Sequence, residues 1–269
     1  MLRKDGHIHS PYCPHGTSDK IIEYVERAIK LGYEEISFTE HAPLPDGFVD
    51  PTPYEDSAMK YESLENYFEE VDKIKYEYRK KLKINVGLEV DYIEGFEEET
   101  KNFLNEVGPR LDDAILSVHF LKKGSHYNCL DYSPDEFEKM IRAYGSVDNI
   151  HRYYFNTLKL SLHSNLGDYK PKRIGHMTLI RKFHKRYPSN QRFEREILDI
   201  LNIMKEKNYE LDWNGAGTAK PLCREPYPPS WVIAEAIKRE IPLVYGSDAH
   251  QVKELNQGNA TLIQIKNGM

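Results

Sequence analysis

Cysteine is scarce in this sequence: Cys13, Cys129 and Cys223 are the only three, odd in number and widely scattered. They offer no disulfide framework and no C-x-x-C zinc motif, which fits a reducing compartment. Long apolar runs are also missing. Nothing approaches the ~20 consecutive apolar residues that cross a bilayer, and the opening MLRKDGHIHS has no stretch like the core of a signal peptide. A cytoplasmic protein with no membrane partner is the expectation. Positive charge is not in surplus either. Lys and Arg number 37 against 43 Asp and Glu, a net charge of −6, which counts against a broad nucleic-acid-binding face. What is present, 39% hydrophobic and 30% charged residues over 269 positions, is the make-up of an ordinary globular protein. Its length alone suits one large domain or two small ones.

Short apolar, β-branched runs alternate with longer segments of helical period. Strands are expected near Gly6–His9, Glu35–Thr39, Ile84–Val90, Ala114–Phe120, Arg173–His176, Glu210–Trp213 and Leu243–Gly246. Between them run amphipathic helices. One carries Ile21, Val25, Ala28 and Ile29, another Leu64, Tyr67, Phe68, Val71 and Ile74, and a third Phe193, Ile197, Ile200, Leu201 and Met204. Ser133-Pro134-Asp135-Glu136 reads as a capping box with Pro at the first helical position, and Gly145 as the stop. A last helix starts near Ser230 and ends before Pro242. Repeated strand-then-helix order implies parallel strands with right-handed crossovers. About seven such units fit a nearly closed β/α barrel, with an open doubly wound sheet as the alternative. The least regular stretch, Ala42 to Lys60, follows His41 directly, and a connection of that length is usually functional or mobile.

The histidines carry the chemical information. His7 and His9 sit two apart on an expected strand, so both side chains face the same way. His15 follows in a Pro- and Gly-containing loop. The same event recurs at strand ends. Ile36-Ser37-Phe38-Thr39-Glu40-His41 runs from an apolar strand into a charged pair, and Val86-Gly87-Leu88-Glu89-Val90-Asp91 sets carboxylates in an apolar strand. His119, His176, Asp248 and His250 complete the series. Any single case has a bland account, such as a hydrogen-bonded core histidine or a helix cap. A run of them at the carboxyl ends of strands does not, because that face of a β/α barrel collects active-site residues. Buried ionisable groups are costly unless paired or metal-bound. Imidazoles and carboxylates without thiolates suit Zn, Fe or Mn. Two ions ~3.5–4 Å apart clamp the oxygens of a phosphoryl group, which points first to phosphate-ester hydrolysis.

Asp5-Gly6-His7-Ile8-His9, Thr39-Glu40-His41, Gly87-Leu88-Glu89, Ser117-Val118-His119, Gly175-His176 and Gly246-Ser247-Asp248-Ala249-His250 together resemble the polymerase-and-histidinol-phosphatase (PHP) family. DGHIHSPYCPHG, FTEHAPLP, GLEVDYI, ILSVHFL and YKPKRIGHMTL are similar to its monofunctional histidinol-phosphatase branch. The similarity runs in chain order over nearly the whole chain, and is weaker over 145–165 and 215–229. It implies a single α/β domain over residues 1–269, a distorted (β/α)7 barrel with two to three divalent metal ions. By resemblance, His7, His9, Glu89 and Asp248 would hold one ion, Glu89 would bridge to a second completed by His119 and His176, and His15, His41 and His250 would hold a third. Every one of these positions carries the expected residue type. The implied reaction is attack of a metal-bound hydroxide on L-histidinol phosphate, releasing L-histidinol and inorganic phosphate in L-histidine biosynthesis.

The leaving oxygen needs a proton, for which Asp5, His41 and Asp248 are the candidates. A phosphate dianion needs cations beyond the metals, and Arg173, Lys220 and Arg224 lie in suitable stretches. Gly217-Thr218-Ala219-Lys220 lacks an arginine expected of the branch near this point, which makes Arg224 a substitute. The 42–60 stretch, through Phe48 and Tyr54, would either cover an imidazole ring or simply pack. His126, His151, His163 and His184 read as surface residues. Two other functions compete with a small-molecule phosphatase. A nucleic-acid phosphodiesterase is disfavoured by the acidic balance, and a non-catalytic metal module by the intact ligand set. Oligomeric state is not legible.

Overall fold

The structure is a computed structural model that describes residues 3–267 in backbone and residues 3–264 in side chains. Seven strands form one parallel sheet: β1 (Lys4–Ile8), β2 (Glu35–His41), β3 (Lys83–Asp91), β4 (Asp113–Ser117), β7 (Arg173–Ile174), β8 (Glu210–Asn214) and β9 (Leu243–Gly246), in that spatial order. The edges β1 and β9 approach each other through a parallel bridge, Ile8 to Ala249. His9 N–H donates to Ala249 O at 2.9 Å, and Asp248 N–H to His7 O at 2.7 Å. The sheet is thus nearly closed as a barrel, as the strand-then-helix pattern predicts, and the open-sheet alternative falls away.

Helices cover the outer face: α1 (Ile21–Leu31), α2 (Leu64–Tyr78), α3 (Glu97–Val107), α4 (Pro134–Tyr144), α5 (Val147–His163), α6 (Glu194–Glu206), α7 (Ser230–Lys238) and α8 (Asn259–Asn267). Strands covered on both faces lose the apolar–polar alternation of half-exposed ones. Accordingly β3 is buried from Ile84 to Asp91, and β2 from Ile36 to His41. The helix punctuation follows local chemistry. Ser133 Oγ accepts from Glu136 N–H at the start of α4, and Gly145 stops it at φ 86°, a left-handed conformation glycine adopts without a Cβ penalty. Only half of the expected capping box forms, because the Glu136 carboxylate pairs with Lys139 instead.

Two parts were not legible in the pattern. A short antiparallel hairpin, β5 (Phe120–Lys123) and β6 (His126–Cys129), projects after β4. Helix α5 buries Ile150, Tyr154, Phe155, Leu158 and Leu162. It also buries His151, whose ring stacks on Phe193 at 5.2 Å, so this histidine is a core residue and not a surface one. His184 is half-buried with Nε2 2.9 Å from Cys223 O.

The barrel floor is polar. Arg173, 2% exposed, reaches across from β7 and donates to Gly6 O of β1 at 2.8 Å, and pairs with Asp113 of β4 at 3.0 Å. Asp113 accepts from Ser37 Oγ of β2 at 2.6 Å. The Arg173–Gly6 and Ser37–Asp113 contacts join strands that are not neighbours, so they cross the interior, while Arg173–Asp113 ties the adjacent β7 and β4. Above this floor, at the carboxyl ends of the strands, lies the site.

Candidate metal centre

Glu89 occupies the middle of the site. It lies towards the carboxyl end of the buried run of β3, is 1% exposed, and faces histidines from four other strand ends. Its Oε2 lies 3.2 Å from His7 Nε2, 3.4 Å from His9 Nε2 and 3.3 Å from His41 Nδ1. Its Oε1 lies 2.8 Å from His176 Nε2 and 3.9 Å from His119 Nε2, and accepts from Ser117 Oγ at 2.5 Å. One carboxylate therefore has imidazoles on both oxygens. Asp248 adds a second carboxylate, with Oδ1 3.2 Å from His9 Nε2 and 3.8 Å from His7 Nε2.

Local backbone sets these directions. The β1–β2 ladder runs Asp5 to Ile36 and then Ile8 to Phe38, three residues against two. Such a bulge re-aims side chains, and the His7 and His9 rings end 5.3 Å apart. His176 and Asp248 have positive φ, 23° and 53°, a cost that residues other than glycine bear mainly where function fixes their direction. Gly246 is required by close approach, since a Cβ there would meet His7 Cβ and Asp212 Oδ1 at 2.5 Å.

Behind the inward-facing nitrogens stands a ring of acceptors. His7 Nδ1 lies 2.9 Å from Asp212 Oδ2, His9 Nδ1 3.2 Å from Glu40 Oε1, and His119 Nδ1 2.7 Å from Asp91 Oδ1. His15 Nδ1 lies 2.8 Å from Asp56 O, and His250 Nδ1 3.1 Å from Asp248 O. Imidazoles that ligate metals nearly always give their other N–H to a carboxylate or carbonyl, which fixes the tautomer and leaves the second nitrogen as a lone-pair donor. His9 Nε2, His41 Nδ1 and His176 Nδ1 are buried without a hydrogen-bond partner. Donor sets fit for an ion recur: His7, His9 and Glu89; His7, His176 and Asp248; Glu89, His119 and His176, each within 4.8 Å. The residues therefore fit divalent ions held by imidazole and carboxylate.

The electrostatics agree. Burial pushes His9 down, but the Asp248, Glu40 and Glu89 carboxylates around its ring outweigh it and carry it up to about 9. His119, against its burial, is raised to about 10 by Asp91. Burial raises Glu89, yet His7 and His41 hold it well below the usual carboxylate range. Burial and the neighbouring His9 push His41 well below a free imidazole. Crowded, opposed charges of this kind mark functional sites.

A cavity of about 550 Å³ opens over the cluster, a size that takes a small molecule. His15, His41, Glu89, His119, His176, Asp248 and His250 all line it, while His7 and His9 lie fully buried beneath. Of the expected acids, His41 and Asp248 line the cavity and Asp5 does not. Asp5 sits at the β1–β9 seam, fully buried, accepting from Ser247 N–H at 2.9 Å and His7 N–H at 3.3 Å. It stands in for ladder acceptors that the bulge removes, so it is no proton donor to a substrate. Burial pushes its carboxyl up to about 7 against those hydrogen bonds.

Of the expected phosphate cations, Lys220 lines the cavity. Arg173 is sealed in the floor, because β7 begins at that residue and its start faces away from the mouth. Arg224 is exposed, with its guanidinium near Ala219 O rather than the cavity. The cation missed by sequence is Lys182, which lines the cavity with Nζ 2.8 Å from Asp131 Oδ2. Against burial, Asp131 raises the ammonium further, so it stays charged. Phe48 packs edge-on against Phe96, Phe120 and Tyr127, and Tyr54 is exposed. The aromatic residues of the 42–60 stretch thus pack, while Asp56 and Ser57 line the cavity and the Asp56 carbonyl meets His15. Asp212 gives the same signal as Glu89, a carboxylate inside an apolar strand, but no nearby histidine draws attention to it.

Residues 5–216 match the family described as the PHP domain. The chain belongs to the PHP family. It is 48% identical over 257 residues to the histidinol-phosphatase of Bacillus subtilis (strain 168), covering 95% of this chain and 96% of that one. A Listeria monocytogenes structure assigned as a histidinol phosphatase superposes with a TM-score of 0.92 at 38% identity, over 96% of this PHP chain and 99% of the other. The Lactococcus lactis histidinol phosphate phosphatase, complexed with zinc, L-histidinol and phosphate, has a TM-score of 0.70 at 21% identity, over 98% and 94%. That last likeness is one of fold. No helix among the described residues is long and apolar enough to cross a membrane.

Proposed function

We propose that this chain, as one catalytic domain over residues 1–269, hydrolyses L-histidinol phosphate to L-histidinol and inorganic phosphate. The carrying observation is Glu89 with imidazoles on both carboxylate oxygens, backed by carboxylates and carbonyls on the far ring nitrogens. Near-full-length identity of 48% to a histidinol-phosphatase supplies the substrate. Two to three divalent ions fit the donors: His7, His9, Glu89 and Asp248 at one, Glu89, His119 and His176 at a second, and His15, His41 and His250 at a third. Zn, Fe and Mn all suit imidazole with carboxylate. Bound ions supply Lewis acidity, drawing charge from the phosphoryl oxygens and lowering the pKa of water.

The chain's own groups do the rest. Glu89 sets the spacing between the histidine groups, and Asp212, Glu40 and Asp91 keep His7, His9 and His119 in the tautomer that offers Nε2 inward. Lys182 and Lys220, both lining the cavity, bind the phosphate dianion. Lys182 is pre-set by Asp131 and costs little ordering entropy on binding. Of the proton donors expected for the leaving oxygen, His41 and Asp248 line the cavity.

The test is phosphate release by metal-loaded protein, with Glu89→Gln as the variant. Removing the central charge is expected to lower both metal content and turnover. A Glu89→Gln protein with wild-type metal content and turnover would refute the assignment.

A further inference from the structure

Scatter along the sequence gives no hint that a cysteine meets the histidines, yet the fold brings one there. Cys13 lies in the turn between His9 and His15, closed by Cys13 N–H to Ser10 O and Gly16 N–H to Cys13 O, both 3.1 Å. The turn tucks the side chain inward, leaving the residue 4% exposed. Cys13 Sγ and ring nitrogens of His9, His41 and His250 all lie within 4.8 Å of one another. The His9 and His250 rings stack at 4.0 Å, and His9 and His41 lie 4.3 Å apart. His41 Nδ1 is buried without a hydrogen-bond partner, with the Glu89 carboxylate 3.3 Å away. An unpaired buried nitrogen is costly, and a cation between the His41 ring and the sulfur removes that cost.

We infer that Cys13, as thiolate, is a ligand of the ion held by His41 and His250. The inference rests on the metal-centre reading above and adds a donor to it. His9 faces the neighbouring ion through Asp248, so the cluster divides into nitrogen–oxygen positions around Glu89 and one nitrogen–sulfur position at the turn. His15, whose ring is 5.0 Å from His41 and 5.1 Å from His250, completes it from the cavity side. Zinc–nitrogen and zinc–sulfur bonds of about 2.0–2.1 and 2.3 Å at a tetrahedral angle place two donors of one ion about 3.6 Å apart, against a spread of up to 4.8 Å here. About an ångström of side-chain contraction therefore closes the set. On binding, the thiol proton passes to solvent as the sulfur–metal bond forms, and no electron is transferred. A thiolate is a soft ligand, so this position favours zinc over manganese more strongly than the carboxylate positions do.

Full-length protein loaded with cobalt(II) reports the bond directly, because a thiolate gives a near-ultraviolet charge-transfer band that imidazole and carboxylate do not. The band is expected in wild type and in Cys129→Ser, whose residue also lines the cavity, and is lost in Cys13→Ser. Zinc affinity of one equivalent falls at least ~10-fold in Cys13→Ser while the others hold. No band in fully loaded wild type, or a band that survives in Cys13→Ser, overturns the inference. Should Cys13→Ser not fold, wild type alone decides. Zinc must shield Cys13 from alkylation in the native protein, as read by peptide mapping, and chelation must release it. Shielding that maps to no cysteine, or to Cys129 alone, is also fatal. Turnover of L-histidinol phosphate without the band removes only Cys13 from the site. The band without turnover removes the phosphatase reading and keeps the ligand.

Discussion

Replacing Lys182 by Met removes a charge and keeps the length of the side chain. The ammonium sits 2.8 Å from Asp131 and both side chains are mostly buried, at 23% and 17% exposure. A hydrogen bond to a charged group contributes about 1.5–3 kcal/mol, which at about 1.4 kcal/mol per decade is ~10–150-fold in kcat/KM. The variant also leaves Asp131 uncompensated. Against its burial, Lys182 and then His119 hold that carboxyl well below its usual range; with Lys182 gone, His119 is left to keep it an anion facing an incoming dianion. The Lys182→Met loss therefore belongs at the upper end, about 100-fold, with KM moving more than kcat. The double variant Lys182→Met/Asp131→Asn removes the repulsion and recovers part of the loss, while staying about tenfold below wild type. The assay is phosphate release from L-histidinol phosphate with metal content matched across proteins. Lys182→Met within about threefold of wild type would sink the assignment. Full recovery in the double variant would reduce Lys182 to a partner of Asp131.

Further outcomes follow from the same geometry. Asp212→Asn, which loosens the His7 ring, lowers affinity for one metal ion by ~10–100-fold in chelator competition; unchanged affinity contradicts its orienting role. Arg173→Leu leaves Asp113 unpaired in the barrel floor and costs about 3–5 kcal/mol in denaturant unfolding. Phosphate affinity of the folded fraction should be unmoved, and a selective rise in KM would return Arg173 to the active site. His151 titrates at about 4, pushed down by burial and then by the charge of Arg181. The unfolded chain protonates first as pH falls, so this group's share of stability is full above pH 6.5 and is lost towards pH 4. The depression corresponds to about 3 kcal/mol. His151→Phe should flatten that part of the profile, and an unaltered profile rules the histidine out as its source.

The barrel and most of the centre were legible for one physical reason. Parallel strands covered on both faces are apolar, so Glu89, His119 and His176 stand out against their neighbours. Asp212 escaped because its strand holds no histidine, although a carboxylate between Leu211 and Trp213 carries the same meaning. Arg173 misled because a cation beside a ligand histidine looks like a phosphate anchor. Only the two-residue length of β7 shows that its start faces the floor. Lys182 follows Arg181 in the sequence, and nothing in composition distinguishes a cation turned to Glu225 from one turned to the cavity. Cys13 was discounted because spacing reports chain distance, and the turn that brings it under His250 is set by backbone hydrogen bonds.

The central claim is a PHP metal centre that cleaves a small phosphomonoester. Its most direct test is the rate of phosphate release by metal-loaded protein from L-histidinol phosphate, beside other phosphomonoesters, single-stranded DNA and another phosphodiester. Strong preference for L-histidinol phosphate, abolished by chelation and restored by added metal, is the predicted result. Equal or better activity on another ester contradicts the substrate, and no hydrolysis of any ester by fully metal-loaded protein contradicts the catalytic reading itself.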